Sequence, residues 1–257
     1  MNRVRGPIVA FALAFACATV TKPTLATTIY SDNFSGSGST DLNGQAPNVR
    51  PGSETWTAAT LWKANGAGGP TTTDSANSFL PFVPTAGNLY RLSATLAQPT
   101  TTESATTSWA GLGFTASDDT ATTLWNGPNN ASPWMLYRVN GQVVTFFGSA
   151  TAPGSSEIEG TFSGVQTLAI ELDTRPSPWT AEWFVGGTSV RSYTFPSNPT
   201  VTNVGFGLTE GANLNVAGDF DEFSLVIVPE PSSLATLSAG GGGLVVLWRR
   251  RRRRPSR

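Results

Sequence analysis

The residue types best suited to chemistry are Glu171 and Asp173, carboxylates two apart on a predicted strand with Leu172 between them. Side chains at i and i+2 of a strand share a face. Two carboxyl groups about 5–5.5 Å apart are what retaining glycoside cleavage needs, one as nucleophile and one as acid. The residues that follow are Thr174, Arg175, Pro176 and Ser177, so no further glutamate arrives and Pro176 interrupts the strand. The plainer reading is a pair of solvent-facing acids on an outer sheet face. Asp118-Asp119 and Glu157/Glu159 fall in predicted loops, with no partner legible in the sequence. Other mechanisms are excluded by composition. The 257 residues include no histidine, which removes Ser-His-Asp and Cys-His catalysis and every His-ligated metal site. Cys17, the only cysteine, lies in an apolar N-terminal run and leaves the rest of the chain without a disulfide or thiolate site. No Gly-rich phosphate loop or serine nucleophile elbow is present. The expectation is a protein that is not an enzyme.

Binding chemistry is better represented. Seven of the eight tryptophans lie in residues 27–228, most of them inside predicted strands, as core residues do. Trp125-Asn126-Gly127-Pro128-Asn129-Asn130 instead sets an aromatic in a polar loop. Trp125 could stack on a sugar ring there while Asn126 and Asn129 hydrogen-bond its hydroxyls. Residues 27–228 carry six basic against sixteen acidic residues, a net charge of −10. No basic footprint for nucleic acid exists in that segment.

The elements that must position these residues are strands. Residues 27–228 are rich in Thr, Ser and Gly and show no sustained apolar pattern at helical spacing. Short β-branched and aromatic runs bounded by Gly, Pro, Asn or Asp predict strands near 28–34, 55–63, 79–83, 88–97, 108–115, 134–139, 142–148, 165–173, 179–185, 188–195, 201–209 and 219–228. Loops are expected at 66–78, 98–104, 117–130 and 149–159. Asn140-Gly141 predicts a two-residue type I′ turn, placing Val139 opposite Gln142, Tyr137 opposite Val144 and Trp134 opposite Phe147. Gly186-Gly187 predicts a second such turn, with Glu182 facing Arg191 and Trp183 facing Val190. In 167–173, Leu168, Ile170 and Leu172 alternate with Ala169, Glu171 and Asp173, as in a half-buried antiparallel strand. The last strand breaks alternation between Phe220 and Phe223, and a bulge near Asp221-Glu222 would bring both rings inward. About 200 residues of this kind fit one two-sheet sandwich.

Both ends read as addresses. Arg3 and Arg5, the apolar run Ile8–Val20 and the small residues up to Ala26 form a secretory signal peptide, residues 1–26, cleaved after Ala26. Residues 229–257 begin with Pro229, Glu230 and Pro231 and continue into the apolar stretch Leu234–Trp248. Arg249, Arg250, Arg251, Arg252, Arg253 and Arg254 follow as a membrane stop held on the cytoplasmic side. The apolar stretch is short for a bilayer core of about 30 Å, and Gly240–Gly243 weaken it further as a helix. It suits a temporary anchor better than a permanent one.

Pro-Glu-Pro, a short Gly-rich apolar stretch and a terminal arginine run together resemble the PEP-CTERM sorting signal of exported bacterial proteins. The resemblance implies export machinery and signal peptidase as partners. It also implies a membrane exosortase that removes the tail, a transient stay in the inner membrane, and delivery to the cell surface or extracellular matrix.

The domain between the addresses resembles a concanavalin A-like, laminin-G-like jelly roll. The resemblance rests on Ser31-Asp32-Asn33-Phe34, the Leu168–Thr174 strand, Val204-Gly205-Phe206-Gly207 and Phe220-Asp221-Glu222-Phe223-Ser224-Leu225. It implies an all-β, two-sheet antiparallel jelly-roll sandwich whose first and last strands are neighbours. Asp32, Asp219 and Asp221 would then be candidate oxygen ligands for a rim Ca²⁺, against a plainer role as strand-edge acids. Glu171-Leu172-Asp173 is similar to the start of the Glu-x-Asp-x-x-Glu signature of jelly-roll β-glucanases and lacks its second glutamate. The function expected is non-catalytic binding of a polysaccharide. The alternatives are a structural envelope or biofilm component without a ligand site, and a jelly-roll glycan hydrolase.

Overall fold

The computed structural model describes residues 25–68, 75–101, 108–121, 133–147, 156–209, 212–214 and 218–229. The strands in it belong to one compact unit, Leu25–Pro229. One sheet has six strands in the order β1 (Thr27–Asp32), β15 (Phe220–Val228), β4 (Leu89–Leu96), β10 (Gln166–Asp173), β11 (Thr180–Val185) and β12 (Thr188–Thr194). The other has seven, ordered β2 (Thr57–Ala58), β3 (Ser75–Pro81), β13 (Asn203–Thr209), β6 (Trp109–Thr115), β7 (Trp134–Arg138), β8 (Gln142–Phe146) and β9 (Ser156–Thr161). A two-stranded pair joins β5 (Thr100–Thr101) to β14 (Ala212–Asn213). All pairings are antiparallel. The first and last strands are neighbours, as the jelly-roll resemblance implies.

Between the sheets lies one apolar core to which both contribute alternate side chains. Leu168, Ile170 and Leu172 of β10 enter it, while Glu171 and Asp173 stay on the opposite face. At one end the core is aromatic. Phe206 stacks on Phe220 with ring centroids 4.0 Å apart and meets Trp56 and Trp62 edge-on. Phe220 and Phe223 are both fully buried because the β15 ladder shifts between Asp221 and Ser224, with Glu222 at a φ of 52°. That is the bulge the broken alternation predicts. Each buried ring contributes roughly 1.5–3 kcal/mol of burial free energy, which outweighs the strain of one residue in a left-handed conformation.

Several expectations are corrected. The strand at 55–63 shrinks to β2, because Trp62 and Lys63 donate their backbone N–H groups locally, to Ala59 and Ala67. The loop expected over 66–78 already contains the start of β3, where small polar residues (Ser75, Asn77 and Ser78) are buried against β13. β9 lies partly inside the loop expected at 149–159. Its composition is poor for a strand, but it extends the seven-stranded sheet through β8.

Both hairpins also depart from the predicted register. At Asn140-Gly141 only Gly141 has positive φ, at 85°, and its N–H donates to the Arg138 carbonyl at 2.9 Å. The connection is thus the three-residue loop Val139–Gly141, a turn closed by a left-handed glycine. Trp134 pairs with Phe146 and Tyr137 with Val143. This register puts Tyr137 and Val143 in the core and Trp134 and Phe146 on the outer face, and a one-residue slip would exchange them. Gly186 and Gly187 do form the two-residue turn, both with positive φ, and Val185 pairs with Thr188. Past it the ladder skips Val190, so Arg191 lies opposite Trp183 and Ser192 opposite Glu182. Glu182 instead accepts a hydrogen bond from the Ser189 hydroxyl.

Candidate functional site

The outer face of the seven-stranded sheet, turned away from the core, is not an ordinary solvated surface. Pairing aligns its outward residues in rows across the strands. One row runs Phe79, Gly205, Gly113, Trp134, Phe146; the next runs Asn77, Gly207, Gly111, Leu136, Val144; the third runs Ser75, Thr209, beside which Trp109 stands, and then Arg138. Phe79, Trp109, Trp134, Leu136, Val144 and Phe146 form a second buried apolar cluster.

Four glycines make this packing feasible. A Cβ on Gly205 would collide with the Ser78 carbonyl and on Gly111 with the Met135 carbonyl. On Gly113 it would strike the Trp134 ring, and on Gly207 the Asn77 amide. The flanking side chains therefore lie down across β13 and β6 rather than standing off them. Gly205→Ala is expected to lower unfolding free energy by about 1–3 kcal/mol through overpacking. Urea titration measures this, and a variant as stable as the parent would refute the packing argument.

Among the described residues of this face, Arg138 and Gln142 are half-buried at one end, and Ile158 is exposed at the β9 edge. Arg138 donates from a terminal nitrogen to Gln142 Oε1 at 3.0 Å, while its buried Nε has no acceptor among the described residues. Burial pulls this guanidinium below its ordinary pKa range. The backbone around it is held on several sides. The Val139 carbonyl accepts from Gln98 Nε2 at 2.7 Å, Val139 N–H donates to Ser108, and Phe162 N–H donates to the Gly141 carbonyl. Trp134, on the same strand face, is fully buried, and its indole N–H has no partner among the described residues.

Glu171 and Asp173 lie far from this chemistry in the architecture, on the outer face of the other sheet. Glu171 accepts from Arg91 at 2.7 Å, and the Arg91 guanidinium also lies over the Phe184 ring, 4.8 Å from its centroid. Asp173 takes three hydrogen bonds from Arg175, one backbone and two side-chain, and these hold its carboxyl below the ordinary range against the opposing effect of burial. Both acids are thus engaged as partners of cations. Glu171→Gln is expected to cost no more than about 1 kcal/mol, since the Arg91 pair is partly solvated. It is also expected to leave reducing-end release from β-glucans at background. Turnover in the parent that this substitution abolishes would make Glu171 catalytic.

The proposed calcium ligands are dispersed in role. Asp32 is buried, with Oδ1 accepting from Phe34 N–H and Oδ2 from the Trp56 indole. Asp221 Oδ1 accepts from Glu222 N–H, and Asp219 precedes β15. Among the described residues no group of three or more His, Cys, Asp or Glu is placed to hold a metal ion. Trp125, Asn126 and Asn129 lie outside the described residues, as do Glu230, Pro231 and Arg249–Arg254. Ala26 is exposed immediately before β1, and Pro229 immediately follows β15. The sequence reading missed the outer-face cluster. The signal available was the repeat of Gly at alternate positions in two apolar strands, Gly111/Gly113 and Gly205/Gly207.

No protein-family model and no curated protein matches the chain. Among solved structures it is similar to an endo-1,3-β-glucanase from Streptomyces sioyaensis, with 16% identity, a TM-score of 0.47, and 80% of this chain and 95% of that one covered. It is also similar to the Emp47p carbohydrate recognition domain, at 16% identity and a TM-score of 0.45 over 79% of this chain and 96% of that one. A Bacillus licheniformis β-glucanase matches at 14% identity and a TM-score of 0.42, over 78% and 97% of the two chains. These similar folds include enzymes and a recognition domain, and the likeness does not choose between them.

Proposed function

We propose that this is an exported β-sandwich that binds glycan without cleaving it, through the outer face of its seven-stranded sheet. The observation that carries the reading is the division of chemistry between the two outer faces. One gathers aromatic, amide and guanidinium groups, and its outward strand positions, from Asn77 through Arg138 to Ile158, hold no carboxylate. The other holds Glu171 and Asp173 in ion pairs. Glycosidic hydrolysis needs two carboxyl groups flanking one bond, whereas recognition needs apolar surface beside a few fixed polar groups. The second reading, a structural surface component, draws on the burial of Trp109 and Trp134, which offer no open stacking platform. A binding screen of the purified protein over neutral and acidic glycans, with and without Ca²⁺, separates the readings. Saturable, competable binding supports recognition. Its absence across the screen leaves the structural reading.

Export and sorting belong to the same proposal. Signal peptidase cuts after Ala26, and an exosortase recognises Pro229-Glu230-Pro231 and removes the tail, releasing the domain to the surface or matrix. Supporting this, both sites lie just outside the strands, which start at Thr27 and end at Val228. Mass spectrometry of the native surface protein should find neither the first 26 residues nor the arginine cluster. Intact Arg249–Arg254 in that form would refute it.

A further inference from the structure

Between residues 27 and 228 the chain has six cations, and among the described residues four of them meet carboxylates. Lys63 meets Asp41, Arg91 meets Glu171, Arg175 meets Asp173, and Arg191 meets Glu157 and Glu159. Arg50 donates to the Glu54 carbonyl. Among the described residues Arg138 meets only the neutral amide oxygen of Gln142, and its buried Nε has no acceptor there. Of the two half-buried guanidiniums that meet no anion among the described residues, Arg50 and Arg138, only Arg138 has a buried nitrogen left without an acceptor. Taking a charge out of water costs free energy unless something compensates it.

Resting on the glycan-binding reading above, we infer that Arg138 is the recognition point for a carboxylate on the bound sugar. The ligand class is accordingly a uronate-bearing polysaccharide rather than a neutral glucan. A guanidinium presents donors in a planar fork that matches a carboxylate, and Gln142 fixes one arm of the Arg138 fork at 3.0 Å. The backbone hydrogen bonds around Val139 and Gly141 hold the strand end in place before any ligand arrives, which reduces the ordering cost of binding. The domain's negative charge does not forbid an acidic ligand. Exposed acids beyond about 8 Å are screened at physiological ionic strength, and a partly buried pair is screened far less.

The test compares polygalacturonate with its fully methyl-esterified form, which keeps the backbone and removes the charge, and with a neutral β-glucan. The purified protein is expected to bind the free acid about 10-fold to 100-fold more tightly than the ester, the range of a hydrogen-bonded charge. Arg138→Gln should remove that preference, and Arg138→Lys should restore part of it. Circular dichroism and urea titration report whether each variant is folded, and the ester comparison needs no variant. Equal affinity for acid and ester, or a preference that survives Arg138→Gln, overturns the inference while glycan binding itself stands. Failure to bind any of the three polymers or any glycan in the wider screen overturns both.

Discussion

Replacing Arg191 with methionine is expected to lower unfolding free energy by about 2–4 kcal/mol, somewhat under the full cost of breaking a buried ion pair. Arg191 lies on β12, the edge of one sheet, and reaches Glu157 and Glu159 on β9, the edge of the other. Its side chain keeps 21% of its surface exposed and Glu159 keeps 5%, so the loss falls mainly on the glutamate, left charged and desolvated. Glu159 also accepts from the Thr145 hydroxyl, and Arg191 lies over the Phe147 ring at 5.3 Å. Methionine retains much of the apolar stem, which isolates the lost charge from lost packing. Adding Glu159→Gln to the variant should recover part of the loss, because no orphan carboxylate remains. Urea titration of the parent, both single variants and the double variant at neutral pH gives the coupling directly. A single Arg191→Met variant within 0.5 kcal/mol of the parent, the range of an ordinary surface change, would show that the two sheet edges are not tied here.

Why this tie was hidden in the sequence shows where local reasoning ends. Cross-strand rules pair Arg191 with Glu182, and the Gly186-Gly187 turn that anchors that register does form. The ladder then skips Val190, which packs against the core, and Arg191 turns to glutamates 32 and 34 residues earlier on another sheet. Nothing in a single hairpin signals that choice. Local alternation suffices for β10, where Leu168, Ile170 and Leu172 all enter the core. It also suffices for β15, where spacing the two phenylalanines three apart demands a bulge. The outer-face site is intermediate. Its paired glycines were visible, but their alignment across β13 and β6 depends on a pairing between segments nearly 100 residues apart. Arg138 was legible as a basic residue before a turn. That it meets no anion among the described residues, and keeps a buried nitrogen without an acceptor, could be read only once the fold was in place.

The opposite side of the sandwich should prove as dependent on one carboxylate. Asp32→Ala is expected to cost about 2–4 kcal/mol, because it strands two buried donors at roughly 1–3 kcal/mol each. One is the Trp56 indole, which donates to Oδ2 at 2.7 Å and links β1 to the segment leading into β2. The other is Phe34 N–H, at 3.0 Å from Oδ1, which holds Phe34 at a φ of 46° with its ring in the aromatic core. Tyr30, two residues earlier, adds a second link by donating to the Pro81 carbonyl at 2.7 Å. Asp32→Asn should cost less than alanine, since one oxygen acceptor survives while the amide nitrogen faces a donor. Acidity gives an independent signature. Burial raises the Asp32 carboxyl above its ordinary 3.8, with Asp221 adding to the rise and the Trp56 and Phe34 hydrogen bonds opposing it. A raised folded pKa means that the native state holds this proton after the unfolded chain has lost it. The contribution is therefore complete below pH 3.8 and declines as pH rises through the native value. Measured by urea titration from pH 3 upward, the parent's advantage over Asp32→Asn should shrink with rising pH and then level off. An advantage that grows over that range would mean the carboxylate is stabilised as an anion, and the site would then have to be read as an anchored charge rather than a buried acceptor.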